Sequence, residues 1–167
     1  ATYKTPEGVQ QLKYDFINIV PPMRAPEVVR QSPLRWREGP WASDGWMEVD
    51  RGTLRHMRYP NVFGVGDVAG VPKGKTAASV KWQVPVAVSH LVGDITGKTS
   101  QDAHNGHTSC PLTTKPGRAM LIEFDYKDNL AMSFPGMVGP LEELWNGWVM
   151  KTMARRPTYL SMLRGRA

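Results

Sequence analysis

Residues 14–20 read YDFINIV, an almost unbroken run of aromatic and β-branched residues closed by Pro21 and Pro22. Such a run predicts a strand buried on both faces, as in a parallel sheet. Residues 25–30 (APEVVR) predict a short helix with proline near its start. Residues 31–46 hold three tryptophans among prolines and glycines and read as loop. Strands are predicted at 45–50 and 61–65, with a turn at Asp50-Arg51-Gly52 between them. Helical composition begins at Lys75 and continues to Ile95. Pro85 either kinks one helix or starts a second, and Gly97 is a C-terminal stop. Residues 117–126 (GRAMLIEFDY) predict a strand with Met120, Ile122, Phe124 and Tyr126 on one side. A proline- and glycine-rich connector follows at 133–140. In the tail, Leu141, Leu144, Trp145, Trp148, Val149 and Met153 share one helical face, with Pro157 as the stop. Residues 158–164 add one or two further turns.

Composition narrows the class. A chain of 167 residues is about one domain's worth, and mean hydropathy of −0.39 marks an ordinary core. Fourteen prolines and sixteen glycines predict short elements and much loop, which removes helical bundles and coiled coils. The N-terminal stretch ATYKTPEGVQQLKYD is polar and predicts no element. No apolar run approaches the roughly 20 residues of a spanning helix. A single cysteine excludes an internal disulfide, and without a CxxC no structural zinc site is expected. His104 and His107 stand three apart, but SQDAHNGHTS reads as loop and no metal is expected there.

Charge is uneven. Of the net +6, +5 lies after Glu143, on Lys151, Arg155, Arg156, Arg164 and Arg166 with no acidic residue, leaving +1 for the rest. A basic tail of this kind suits an anionic partner. The arginines are spread among apolar residues and match no nucleic-acid motif, so nucleic acid is set aside. Two readings of the tail stay open. It is a helix covering the core, or an interfacial helix with Trp145 and Trp148 on its apolar face.

Residues 64–70 read GVGDVAG. A dinucleotide fingerprint needs GxGxxG opening a helix, whereas here the glycines stand at 64, 66 and 70 and Pro72 follows. One reading is a glycine-rich turn whose Asp67 caps backbone N–H groups. The other makes Asp67 an acceptor for a ligand hydroxyl, with glycine letting the backbone come close and the next helix start offering partial positive charge. Cys110 raises a similar pair of readings. A lone cysteine is commonly a small packing residue, yet TSCPL reads as polar loop, where a reactive thiol is better placed.

VFGVGDVAG followed by PKGKTAASVKWQVPVAV resembles the second FAD-contacting segment of flavoproteins with two dinucleotide-binding domains. Together with YDFINIVPPMRAPEVV, GHTSCPLTTKPGRAMLIEFDY and the Trp/Met-rich basic tail, the chain is similar, over nearly its whole length, to the C-terminal half of a sulfide:quinone oxidoreductase. The resemblance implies an α/β fold, mixed α+β in a fragment, from an FAD/NAD-linked Rossmann-like reductase with an amphipathic C-terminal region. It implies four portions: 1–30 ending a second Rossmann-like domain, 31–100 returning to the FAD domain, 101–140 carrying the redox cysteine and a strand, and 141–167 forming a tail near membrane and quinone. It implies FAD contacts at Gly66, Asp67, Lys75, Thr76, Gln83, Val84 and Pro85, and a redox role for Cys110. The cysteine that pairs with Cys110 would lie in an N-terminal half absent from this chain. Quinone and a membrane surface are the implied partners, with Phe134, Met137, Leu141 and Trp145 as lining residues. A peripheral membrane location is implied for the parent, with the fragment soluble and inactive alone. Two other readings remain: a quinone reductase with another donor such as NADH, and a non-catalytic membrane- or partner-binding module.

Overall fold

The computed structural model describes residues 1–133, 136, 139 and 141–166. It is a mixed α/β structure with two small antiparallel hairpins. Strands β1 (Thr2–Thr5) and β2 (Gly8–Gln11) pair around a turn at Pro6-Glu7, with Gly8 at φ +128°. This hairpin arises in the polar N-terminal stretch for which no element was predicted. Its signal is Thr-Pro-Glu-Gly, a turn sequence between polar β-formers.

The predicted strand at 14–20 does not form. The segment is coil, with Phe16 87% and Val20 84% exposed. A strand requires a neighbour for its N–H and C=O groups, and none of the described residues pairs with it.

The core is built from loop. Ala25 and Val29, the latter on helix α1 (Glu27–Arg30), pack with Trp46, Met47, Val49, Leu54, Ala69 and Val71, and Trp36 and Trp41 lie against them. The strands predicted at 45–50 and 61–65 shrink to single bridges: Met47 with Arg35 and Ala69, Val49 with His56, and Phe63 with Arg55. Side chains hold what ladders would otherwise hold. His56 Nδ1 accepts the N–H groups of Arg58 and Tyr59, so its Nε2 donates to Leu34 O at 2.9 Å. Arg58 spans Glu48 and the carbonyls of Pro33 and Arg35. Trp36 Nε1 donates to Gly70 O at 3.2 Å.

Helix α2 (Ala77–Thr96) runs unbroken through Pro85. Pro85 is exposed, so the lost N–H affects a carbonyl that water can reach. Gly97 ends the helix at φ +70°, the expected left-handed stop. The burial of α2 is inverted: Ser79, Gln83 and Gly93 are inside, while Trp82, Val84, Val88, Leu91, Val92 and Ile95 are exposed.

Strands β3 (Thr108–Lys115) and β4 (Arg118–Phe124) form the second hairpin, with Cys110 opposite Ile122. Cys110 was expected in a loop, and this is a correction. Pro111 hid the strand, but among the described residues β3 has one neighbour, and an edge strand tolerates a proline. On β4 the more buried side carries Ala119, Leu121 and Glu123, opposite to Met120, Ile122 and Phe124.

The tail divides into α3 (Trp145–Met153) and α4 (Arg155–Leu163). The helix expected from Leu141 starts later, because Leu141 has φ +68° and Leu144 pairs with Ala119 of β4. Pro157 does not end it. The break falls at Ala154, and Pro157 sits in the first turn of α4, where its missing N–H costs little. No helix among the described residues is long and apolar enough to cross a membrane.

A Cβ on Gly70 would collide with the Trp36 indole and come 2.7 Å from Met47 O. Gly70→Ala is expected to lower unfolding free energy by about 1–3 kcal/mol in urea denaturation; an unchanged midpoint would show that the indole is not held there.

Candidate functional site

The GVGDVAG segment folds as a tight turn against the start of α2. Residues Gly66–Val68 make one 3₁₀ turn, with Gly66 at φ +68°. The Gln83 side chain, fully buried on the first turns of α2, closes it. Gln83 Oε1 accepts the Gly66 N–H at 2.7 Å, and its Nε2 donates to Gly74 O at 3.1 Å. One amide therefore ties the two ends of the 66–74 loop to one helix. Gly74 has φ +111°, and a Cβ there would lie 2.6 Å from Gln83 Nε2.

Lys75 crosses the same loop. Its Nζ donates to the carbonyls of Asp67 and Ala69 and lies 3.7 Å from the centre of the Trp46 ring. Burial pulls its pKa down to about 8, with the Asp67 charge pulling the other way. The Asp67 side chain itself is exposed. Thr76 caps α2: its Oγ1 accepts the Ser79 N–H at 3.2 Å. Ser79 Oγ lies 2.9 Å from Thr76 Oγ1 and donates to Thr108 Oγ1 at 3.4 Å. This chain of hydroxyls joins the start of α2 to the base of β3, two residues before Cys110.

The seven residues expected at FAD thus fall into two groups. Gly66, Asp67, Lys75, Thr76 and Gln83 are brought together around one loop. Val84 and Pro85 follow on α2 and are exposed. Both ends of the Gln83 amide are engaged in holding the loop. Cys110 is exposed on β3. Leu141 and Trp145 are exposed beside and on the start of α3, and Phe134 and Met137 lie outside the described residues.

A buried polar cluster behind the hairpin was missed. Glu123 accepts from Ser133 N at 2.7 Å and Ser133 Oγ at 2.6 Å, and His107 Nε2 lies 3.6 Å from Glu123 Oε1. The Trp82 and His107 rings meet edge to face. The available signal was a lone acid in the apolar run MLIEF. His104 is also buried, its Nε2 without a hydrogen-bond partner among the described residues. Burial, with a smaller push from His107, holds its pKa down to about 4. No group of three or more potential metal ligands occurs among the described residues.

No family model matches the chain. Curated relatives do. The mitochondrial sulfide:quinone oxidoreductase of Dictyostelium discoideum is 39% identical over 135 residues, 81% of this chain. Those of Mus musculus and Schizosaccharomyces pombe are 37% and 38% identical over 78% and 72% of it. The chain is sulfide:quinone oxidoreductase-like. It spans under a third of these relatives, at 29%, 28% and 25% of their lengths. A chain in the cryo-EM structure of the Tetrahymena thermophila mitochondrial ATP synthase shares the fold of this sulfide:quinone oxidoreductase-like chain. Its TM-score is 0.68 and its identity 22%, with 86% of this chain and 33% of that one covered.

Two outcomes test the site. Gln83→Leu leaves a buried N–H and a buried C=O unpaired and is expected to cost about 3 kcal/mol in denaturant unfolding; a loss under about 1 kcal/mol would remove the staple. His104 is held neutral, its folded pKa below the ordinary 6.5. Its contribution is therefore complete above pH 6.5 and lost as pH falls toward about 4. Thermal melts should fall over that window, and His104→Phe should flatten the fall; an unaltered pH profile in the variant would count against it.

Proposed function

We propose that this chain is the part of an FAD-dependent sulfide:quinone oxidoreductase that closes over the flavin and supplies one of its two redox cysteines. The observation that carries the reading is the 37–39% identity to three such relatives across most of the chain. The inverted burial of α2 supports it: a row of exposed Val, Leu, Ile and Trp is surface that a larger body would cover.

The residues at the glycine turn fit a flavin cofactor. Gly66 has no side chain to block close approach, the turn backbone is fixed by Gln83 and Lys75, and the Asp67 carboxylate is left outward. Asp67 would accept a hydroxyl of the ribityl chain, and Lys75 and Thr76 would set the polarity at the start of α2. FAD, when bound, supplies the two-electron acceptor chemistry. Cys110 is open to solvent on an edge strand, as an attacking or attacked sulfur must be. With a second cysteine outside this chain it forms a disulfide. Sulfide opens that bond, leaving a persulfide on one sulfur and a thiolate on the other. Leu141 and Trp145, with Phe134 and Met137, would meet the quinone. The exposed Trp145, Met153 and Leu163, set among Lys151, Arg155, Arg156 and Arg164, would rest on a membrane surface.

In the flavoprotein containing this chain, Cys110→Ser is expected to reduce sulfide-dependent quinone reduction by at least about 100-fold while the bound flavin spectrum is retained. Unchanged sulfide activity would refute the role of Cys110.

A further inference from the structure

The end of the chain carries charge of one sign. Lys151, Arg155, Arg156, Arg164 and Arg166 follow Glu143 with no acid among them. None of the five makes an ion pair among the described residues. Arg155 and Arg156 open α4, where the partial positive charge of a helix start repels a cation. A placement that costs stability and gains no partner among the described residues is what a surface that meets an anion requires.

The far end of α4 gathers these charges. Gly165 takes φ +63°. Its N–H donates to Met162 O at 3.0 Å, and the Arg166 N–H donates to Ser161 O at 2.9 Å. This pair of bonds turns the chain back over the last helical turn. Ser161 Oγ donates to the Arg166 carbonyl at 2.9 Å and fixes the return. Arg156, Leu160 and Arg164 stand at successive i,i+4 positions on one face of the helix. The three arginines therefore border one concavity of about 520 Å³, with Pro157, Leu160 and Ser161 between them. Guanidinium groups fork onto phosphate oxygens in pairs and keep their charge at any physiological pH. Beside them the exposed Tyr159, Leu160 and Leu163 follow the same helix, an apolar band next to a cationic rim. A free phosphate or a nucleic-acid backbone would use the rim and leave the band wet. A phospholipid uses both, its phosphate at the arginines and its first acyl carbons at the band.

We propose that α4 with its glycine cap is a binding site for the phosphate headgroup of an anionic phospholipid, with Arg156, Arg164 and Arg166 making the anion contacts. The inference rests on the proposed reading that the tail meets a membrane, and it goes further by assigning the lipid class and the residues that select it. Lys151 and Arg155 lie outside the concavity and contribute general attraction only.

The test uses the flavoprotein that contains this chain. Binding is measured by co-sedimentation with phosphatidylcholine vesicles, alone or doped with phosphatidylglycerol. It is also measured by calorimetry with dihexanoyl phosphatidylglycerol below its micelle concentration. Doped vesicles should be preferred, and the short lipid should bind saturably at one site. Arg156→Gln, Arg164→Gln and Arg166→Gln should each weaken both about fivefold, the worth of one cation at an anionic surface. Lys151→Gln and Arg155→Gln should weaken the short lipid by less than about twofold, since salt screens charges outside the site. Equal losses from all five variants would show diffuse attraction and overturn the site. Displacement of the short lipid by an equal concentration of inorganic phosphate would overturn it in favour of a free-anion site. Tighter binding of single-stranded RNA would overturn it in favour of a nucleic-acid surface. If the short lipid binds but no vesicle sediments the protein, the membrane reading fails and the headgroup site stands. If vesicles bind without preference and the short lipid does not, the membrane reading stands and the headgroup site fails.

Discussion

The buried Gln83 amide is the bond on which the rest of this structure turns. It satisfies a backbone donor at Gly66 and a backbone acceptor at Gly74 at once. Without it, an irregular loop would enter the interior with unpaired peptide groups, which proteins avoid. With it, the loop becomes a rigid cap on α2, and Lys75 can reach back across it to the carbonyls of Asp67 and Ala69. The exposed Asp67 carboxylate is therefore presented from a fixed backbone.

Order passes from this loop to the hairpin through small polar side chains. Thr76, Ser79 and Thr108 link the start of α2 to the base of β3. β4, paired to β3, then carries the Glu123–Ser133 clamp on one side and faces Cys110 through Ile122 on the other. The two-stranded sheets could not stand alone. The β3–β4 hairpin is held because α3 packs Gly147 onto Ala119 and because these polar contacts are buried. The price of such a design is exposed apolar surface, most evident along α2 and residues 16–23, which the described residues leave uncovered.

The outline of the site was legible where chemistry is local. Gly66 and Asp67 announced a turn and Gly97 a stop, each through backbone preferences that act within a few residues. Residues whose partners are distant were not legible. Glu123 looked like one acid in an apolar strand until Ser133 and His107 stood beside it. Gln83 matched a pattern as a cofactor contact, and only its bonds to Gly66 and Gly74 gave it a structural task. Pro111 argued for a loop because sequence does not tell an edge strand from a central one.

By itself, then, the sequence determined the helical stretch from Lys75 to Ile95 (though not its continuity through Pro85), the strand around 118–124, the glycine turn and the family to which its motifs bear likeness. These follow from dihedral preference, periodicity and capping, which are properties of neighbouring residues. Tertiary structure decided the rest. It left residues 14–20 unpaired, made strand of the segment holding Cys110, delayed the tail helix to Trp145, and placed polar residues of α2 inside with apolar ones outside. In each case the deciding term was whether a backbone or buried polar group found a partner far along the chain, which local pattern does not carry.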